Sequence, residues 1–230
     1  MKLGIMQPYF LPYIGYFQLI KTVDNYVIYD DVNFIKRGWI NRNNILLDGK
    51  SYQFTLNLLE ASQNKLINEI FIAEDQSKLL KTIYMTYKKA PYFSSIFPLL
   101  EKIFVYENNN LALFVGNSII QIADYLRLDT QFIYSSDIKE KDNSLKAQDK
   151  ILNICKIMGA TEYFNAIGGI ELYLKELFTE HNIKLNFLKT KPIEYKQFNN
   201  TFVPYLSILD VLMFNSLEQI NKLMEQYEIL

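Results

Sequence analysis

The N-terminal part of the chain alternates between strand-like and helix-like sequence, and this order constrains the fold more than any other feature. Residues 1–6 form a short apolar run, which Gln7 and Pro8 end because proline fixes φ and lacks the N–H that a central strand needs. Apolar residues recur at helical spacing over residues 16–22, and a second apolar run covers residues 25–29. A strand, a helix and a strand within roughly thirty residues predict a parallel βαβ unit.

Polar stretches follow both strands of this unit. In parallel sheets, ligands bind in the crevice beyond the carboxyl ends of the strands. Residues 7–16 and 30–43 leave from those ends, so we predict the functional site there. Its candidate binding residues are Gln7, Tyr9, Tyr13, Gly15, Tyr16, Asp30, Arg37, Trp39, Asn41, Arg42 and Asn43.

The last third of the chain repeats the alternation of strand, polar or glycine-rich turn, and helix. The pattern predicts strands at 131–134, 161–165 and 184–188 and helices at 146–158 and 171–181. This repetition is typical of an α/β fold with a parallel, doubly wound sheet. Further candidates on the same edge are the residues of two carboxyl-end turns, Ser135, Ser136, Asp137, Gly168 and Gly169.

The middle of the chain predicts additions to this sheet. Two strand-like runs around Asp48 and Gly49 indicate a β-hairpin at 44–59, placed as a flap beside the polar stretch. Residues 67–73 predict one more strand. Helical periodicity at 76–89, 95–105 and 110–127 predicts a helical insertion or lobe over residues 76–127. We therefore expect residues 1–230 to form a single α/β domain.

Composition excludes several classes of function. The 24 Lys and Arg against 25 Asp and Glu give a net charge of -1, so general binding to nucleic acid or an anionic membrane lacks its driving force. Cys155 is the single cysteine and His181 the single histidine. An internal disulfide and a cysteine-rich zinc site are thereby excluded, and a nucleophile that needs an imidazole partner is disfavoured.

The sequence predicts no targeting signal. Its first residues show no secretory signal pattern, and no stretch reaches the roughly twenty apolar residues that span a bilayer. We therefore expect a cytoplasmic protein with no membrane span. The last helix, near residues 217–224, carries an apolar stripe that could pack on the core or form a homodimer.

Several sequence blocks resemble the WbqC-like family. They comprise residues 5–17, Asp30-Asp31, Lys36-Arg37-Gly38-Trp39, Asn41-Arg42-Asn43, Ser135-Ser136-Asp137, Ile154-Cys155-Lys156, Gly159-Ala160 with Tyr163, and residues 202–207 with Asp210. The resemblance spans nearly the whole chain. It implies a role in bacterial surface-polysaccharide (O-antigen, lipopolysaccharide) biosynthesis, with transfer of glycine or another amino acid as the expected activity.

A shorter stretch is similar to nucleotidyltransferase-like folds. Tyr13-Ile14-Gly15-Tyr16 stands where such folds carry His-x-Gly-His between the first strand and helix. The glycine would let a phosphate approach the helix N-terminus. Both histidines are replaced by tyrosines, which donate neutral hydrogen bonds but offer no cationic charge to a leaving pyrophosphate. Adenylyl transfer is thus in doubt, while nucleotide or phosphate binding stays open.

The leading hypothesis is an acyl or aminoacyl transferase that forms an amide on the amino group of a nucleotide-linked sugar. Arg37 and Arg42 would hold the diphosphate and Trp39 would pack on the base or sugar. Asp31 would take the proton of the amine, with Asp137 or a lysine such as Lys36 as other candidate bases. The cofactor stays open between ATP with magnesium and an acyl donor, and no metal ligands are assigned.

Structural roles remain open for the same residues. One of Asp30 and Asp31 could cap a turn while the other pairs with Lys36 or Arg37, and Trp39 could pack in the core. Residues 135–137 form an anion-binding turn or an N-cap cluster, and residues 204–207 cover the site or seal the sheet edge. Rival functions are an ATP-dependent, amino-acid-activating enzyme and a non-catalytic nucleotide-sugar binding protein.

Overall fold

One six-stranded sheet organises the fold in the computed structural model, which describes residues 1–199 and 201–230. Its strands are β1 (Lys2–Met6), β2 (Asn25–Ile28), β7 (Gln131–Tyr134), β8 (Glu162–Ala166), β9 (Lys184–Thr190) and β10 (Tyr227–Ile229). They lie in the order β10-β9-β8-β1-β2-β7. All neighbours pair in parallel except β10, which runs antiparallel to β9. The predicted α/β fold with a parallel sheet is confirmed, with the antiparallel edge strand β10 as an addition.

The strand order reverses at β1. From β1 the chain winds outward through β2 to β7, and then returns to the other side of β1 for β8 and β9. The two halves therefore diverge between β1 and β8. In open α/β sheets this topological switch point leaves a crevice at the carboxyl ends of the strands, where ligands bind.

Helices cover both faces of the sheet. Their bounds are α1 (Ile14–Thr22), α2 (Ser77–Tyr87), α3 (Phe93–Phe104), α4 (Leu111–Tyr125), α5 (Ala147–Ile157), α6 (Lys175–Glu180), α7 (Ile208–Phe214) and α8 (Leu217–Met224). Alternate residues of β1 point to opposite faces, so Leu3 and Ile5 pack with α5 and α6, while Met6 packs on the side of α1. Two hydrophobic cores result, one on each side of the sheet.

The hairpin and the helical insertion are confirmed. Strands β3 (Arg42–Leu47) and β4 (Lys50–Thr55) pair antiparallel around Asp48 and Gly49, whose φ values of +50° and +72° suit a two-residue type I′ turn. Helices α2, α3 and α4 lie between the hairpin and β7 in the chain.

Two element predictions are wrong in detail, and one strand was missed. The predicted strand at 67–73 reduces to β6 (Phe71–Ile72), which pairs with β5 (Leu58–Leu59), because Ile67–Glu69 forms a 3₁₀ turn. The predicted helix at 171–181 begins only at Lys175, after a 3₁₀ turn over Ile167–Leu172. Strand β10 was not predicted, because its three residues gain strand geometry from pairing with β9.

The apolar stripe of α8 faces the core of its own chain. Ile220, Leu223 and Met224 are buried, and α8 packs against α1. This packing accounts for the stripe without a second subunit. Among the described residues, no helix combines the length and apolar character needed to cross a bilayer.

Candidate functional site

A cavity of about 440 Å³ opens at the topological switch point. Met6 ends β1, Ala166 ends β8 and Thr190 ends β9, and all three line the cavity. The remaining wall combines aromatic rings with a few amides: Tyr9, Pro12, Tyr13, Gly15, Tyr16, Trp39, Asn43, Asn44, Ile167, Leu188 and Tyr205. Six of the eleven binding residues predicted from the N-terminal part of the chain thus line the cavity: Tyr9, Tyr13, Gly15, Tyr16, Trp39 and Asn43.

The N-terminus of α1 borders this cavity. Its N-cap residue Tyr13 makes no side-chain capping bond, although the Tyr16 N–H bonds the Tyr13 carbonyl at 3.0 Å. The first turn of a helix leaves N–H groups without intrahelical partners and carries a partial positive charge. This end of α1 is therefore suited to a phosphate or carboxylate.

Gly15 lets α1 approach β9 closely. A Cβ at this position would lie 2.5 Å from Oγ1 of Thr190, which is itself held by donating to Gln18 Oε1 at 2.7 Å. We expect Gly15→Ala to lower the free energy of unfolding by about 1–3 kcal/mol through overpacking. Urea denaturation of Gly15→Ala in the Thr190→Ala background measures the coupling. An equal loss in both backgrounds would contradict the clash.

Buried tyrosines shape the inner wall. Tyr16 Oη donates to the Gln7 carbonyl at 2.9 Å, and its ring lies 5.7 Å from that of Tyr9. Burial raises the pKa of Tyr9, Tyr13 and Tyr16. These phenols therefore stay protonated at neutral pH and serve as hydrogen-bond donors. Gln7 contributes its main-chain carbonyl and does not line the cavity.

Trp39 stands at the cavity wall with 46% of its surface exposed. The Cζ atom of Arg42 lies 6.0 Å from the centre of its ring. Nε of Arg42 donates to the Gly38 carbonyl at 2.8 Å, so part of this guanidinium holds the turn before β3. The exposed ring is available to stack on a planar or sugar ligand.

Asn41 and Asn43 hold the hairpin in place. Nδ2 of Asn41 donates to the Leu56 carbonyl at 3.0 Å, and Nδ2 of Asn43 donates to the Leu11 carbonyl at 2.8 Å. Their amide N–H groups thus bind main-chain atoms, which supports a structural role. Asn43 nevertheless lines the cavity.

Residues 202–207, here called the strap, reach the cavity through Tyr205, which forms part of its wall. The Ser207 N–H donates to the Asn44 carbonyl at 2.8 Å, and Ser207 Oγ donates to the Leu11 carbonyl at 2.7 Å. Tyr205 is 76% exposed, and its ring lies 5.9 Å from that of Tyr13. Of the two roles considered for residues 204–207, the place of Tyr205 in the cavity wall favours covering the site.

Asp30 caps the turn that follows β7. Ser136 donates to its carboxylate twice, from N–H at 2.9 Å and from Oγ at 2.6 Å. Nδ2 of Asn68 adds a third bond at 3.3 Å. The N–H of Ser136 is thus occupied by Asp30, which favours the capping interpretation of residues 135–137.

Asp31 belongs to a buried charged cluster, the Asp31 cluster, formed with Ser135, Lys141 and Lys150. Lys141 Nζ binds Asp31 Oδ2 and Ser135, and Lys150 Nζ lies 3.5 Å from the same Oδ2. The structural alternative in which one of the two acids pairs with Lys36 or Arg37 is therefore wrong in its choice of partner. The sequence could not identify Lys141 as the partner of Asp31, because Lys141 lies 110 residues further along the chain in a polar loop.

The charge state of Asp31 follows from these neighbours. Burial would raise the pKa of its carboxyl, but hydrogen bonding and the charges of Lys141 and Lys150 outweigh burial and hold the pKa below its ordinary value. Oδ1 is buried and has no hydrogen-bond partner in the described structure. Asp31 is thus an ionised carboxylate with one unused acceptor atom.

The other predicted residues lie outside the cavity wall. Lys36 and Arg37 are exposed and line a separate surface groove together with Asn41 and Arg42. Asp137 is exposed at the turn after β7. Gly168 and Gly169 directly follow the cavity residue Ile167. No group of three His, Cys, Asp or Glu side chains suitable for a metal ion occurs in the described part of the chain.

Sequence reasoning missed Asn44, Thr190 and Tyr205 as cavity residues. Asn44 directly follows the polar block, so its position could have been found from the same signal. Thr190 ends β9, whose predicted bounds stopped two residues earlier. Tyr205 belongs to residues 204–207, for which covering the site was one of two open roles, but it was not named as a binding residue.

Comparison with known proteins identifies the family. Residues 7–222 match the WbqC-like protein family. The chain belongs to this family. A relative in Mycobacterium tuberculosis (strain ATCC 25618 / H37Rv), named uncharacterized protein Rv1507c, is 30% identical over 219 residues, which cover 93% of each chain. No solved structure matches the chain. The match includes the residues of the switch-point cavity from Tyr9 to Tyr205.

Proposed function

We propose that this WbqC-like protein is a transferase that forms an amide on the amino group of a nucleotide-linked sugar. The observation that carries the proposal is the cavity itself, which opens at the switch point of a parallel sheet and at the N-terminus of α1. This combination suits a ligand with anionic phosphates and flat or ring-shaped groups. Family membership is compatible with an enzyme.

The binding mode follows from the chemistry of the wall. The N-terminus of α1 would take the diphosphate through main-chain N–H groups. Trp39 and Tyr205 would stack on the base or sugar, because both rings line the cavity and are well exposed. The phenol groups of Tyr9 and Tyr13, kept protonated by burial, would donate hydrogen bonds to hydroxyl or phosphate oxygens.

Asp31 supplies an acceptor at the same edge of the sheet. It lies three residues beyond Ile28, which pairs with the cavity residue Met6 of the neighbouring strand β1. Its Oδ1 is buried and Asp31 does not line the cavity, so the Asp31 cluster would have to rearrange before Oδ1 could accept an N–H of the sugar amine and orient the nitrogen towards the acyl carbon. The lowered pKa favours this orienting role over general-base catalysis, which works best with a pKa near the working pH. Proximity and orientation would then supply much of the acceleration.

Trp39 offers a direct test, because it is the single tryptophan. We expect amino-sugar nucleotides to change its fluorescence and to raise the melting temperature. Tyr205→Ala should weaken this binding about tenfold, since a stacking contact is worth about 1–3 kcal/mol. Tyr205→Phe should bind normally. Tyr52→Ala serves as the control, because Tyr52 is an exposed tyrosine of β4 outside the cavity.

The outcomes separate the rival functions. Stabilisation by ATP with magnesium but by no nucleotide-sugar would contradict the proposal and favour an amino-acid-activating enzyme. A non-catalytic binding protein is the second candidate, because no charged side chain lines the cavity among the described residues. Mass spectrometry of an amino-sugar nucleotide incubated with a panel of acyl and aminoacyl donors distinguishes the two, since only a transferase yields the amide.

A further inference from the structure

A second concavity, here called the basic groove, lies on the surface beside the hairpin. It has a volume of about 370 Å³ and is lined by three cationic side chains, Lys36, Arg37 and Arg42. The other lining residues are uncharged, among them Asn41, Thr55 and Asn57. Three like charges around one groove repel each other, and an anion bound between them would relieve this repulsion.

The backbone fixes the groove although its cations are exposed. The Gly38 N–H donates to the Ile35 carbonyl at 3.1 Å, and Arg42 Nε closes the same turn at the Gly38 carbonyl. Arg37 adopts a left-handed φ of +61°, a conformation that residues other than glycine rarely take. No ion pair joins Lys36 or Arg37 to an acidic side chain in the described residues. Their charges are therefore available to a ligand.

One chain segment separates the groove from the switch-point cavity. Within residues 36–44, Lys36, Arg37, Asn41 and Arg42 line the groove, whereas Trp39, Asn43 and Asn44 line the cavity. Arg42 of the groove and Trp39 of the cavity lie close together, with the Arg42 Cζ atom 6.0 Å from the centre of the Trp39 ring. A ligand in the groove would thus lie next to a ligand in the cavity without entering it.

We propose that the basic groove binds the phosphate or diphosphate group of a second substrate, the acyl donor. Lys36 and Arg37 contact the phosphate oxygens, and the guanidinium of Arg37 can do so through two N–H groups. The description of this ligand as a donor rests on the function proposed above. Two classes of acyl donor carry such a phosphate group: acyl phosphate anhydrides and thioesters of phosphate-bearing carriers.

Transfer of the acyl group from this donor to the sugar amine requires no oxidant or reductant. The amine nitrogen of the sugar forms a bond to the acyl carbon, and the bond from that carbon to the donor's oxygen or sulfur breaks. The leaving group departs with the electron pair of the broken bond and with the phosphate that the groove holds. The proton lost by the amine passes to solvent or to the leaving group.

Calorimetry with inorganic pyrophosphate tests the groove on the intact protein. We expect wild type to bind pyrophosphate at low ionic strength and Lys36→Ala/Arg37→Ala to lose at least tenfold in affinity. Lys2→Ala/Lys184→Ala is the matched control, because it removes two exposed cations at the opposite, amino-terminal edge of the sheet. Equal weakening in both double variants would show general charge attraction and overturn the proposal, as would the absence of binding to wild type.

Competition distinguishes one ligand from two. A saturating amino-sugar nucleotide would fill the diphosphate site proposed at the N-terminus of α1. If the groove serves a second substrate, the pyrophosphate binding that depends on Lys36 and Arg37 should be unchanged under these conditions, and its loss would overturn that assignment. Coenzyme A and a non-hydrolysable aminoacyl adenylate analogue, tested in separate arms, identify the donor class through sensitivity to Lys36→Ala/Arg37→Ala. If no nucleotide-sugar binds while pyrophosphate binding still depends on Lys36 and Arg37, the proposed function fails and the phosphate site stands.

Discussion

Replacing Asp31 with Asn is expected to lower the free energy of unfolding at pH 7 by about 3 kcal/mol. The amide keeps the shape of the side chain but removes the negative charge that faces Lys141 and Lys150. The side chain of Lys141 is only 3% exposed, so its ammonium group would be left buried without a counter-ion. Urea denaturation of wild type and variant measures the difference.

The pH dependence of this loss provides an independent check. Because the native pKa of Asp31 is lowered, its stabilisation is fully present above the unfolded value near pH 3.9. It disappears as the pH falls through the native pKa. The difference between wild type and Asp31→Asn should therefore be largest at neutral pH and shrink in acid. Asp137→Asn, an exposed change at the same edge, should stay within about 0.5 kcal/mol of wild type. A pH-independent difference would contradict the ion-pair explanation.

The sheet could be predicted because its strands are local patterns. The βαβ unit, the glycine stop after α5 and the Asp48-Gly49 turn all lie within a few residues of the elements they define. The location of the site followed from topology, since carboxyl ends of parallel strands meet at one edge. Cavity residues from Tyr9 to Trp39 were therefore predicted from the first forty residues or so by this physical rule.

The partners of the charged residues could not be predicted, because they come from distant segments. Asp31 is paired by Lys141 and Lys150 of a later loop and helix, whereas the sequence suggested its neighbours Lys36 and Arg37. Periodicity and turn chemistry contain no information about which loops meet in space. For the same reason the polar block divides between two concavities, a feature that sequence alone does not indicate.

A second buried aspartate, Asp210, holds the C-terminal segment that carries the strap. Its carboxylate accepts bonds from Tyr87 Oη and Tyr195 Oη, each at 2.8 Å, and from Gln197 Nε2 at 2.6 Å. Gln197 in turn exchanges two hydrogen bonds with the main chain of Val203, in the strap. Asp210 is thereby linked to the position of Tyr205 in the cavity wall.

Asp210→Ala is expected to cost about 3 kcal/mol or more, because it leaves three buried donors without an acceptor. Thermal and urea denaturation measure the loss, and Asp124→Ala, an exposed change on α4, is the matched control. Tyr195→Phe removes one donor and should cost about 1 kcal/mol. The strap should also loosen, so nucleotide-sugar affinity should fall in Asp210→Ala.

The pH signature of Asp210 should be opposite to that of Asp31. Burial raises the pKa of Asp210 although its hydrogen bonds lower it, so the native state binds a proton more readily than the unfolded chain. Stability from this group is fully present below about pH 3.9 and is lost as the pH rises through the raised native pKa. The difference between wild type and Asp210→Ala should therefore be largest in acid. A difference that grows towards neutral pH would show that the hydrogen bonds to the carboxylate, rather than burial, govern Asp210.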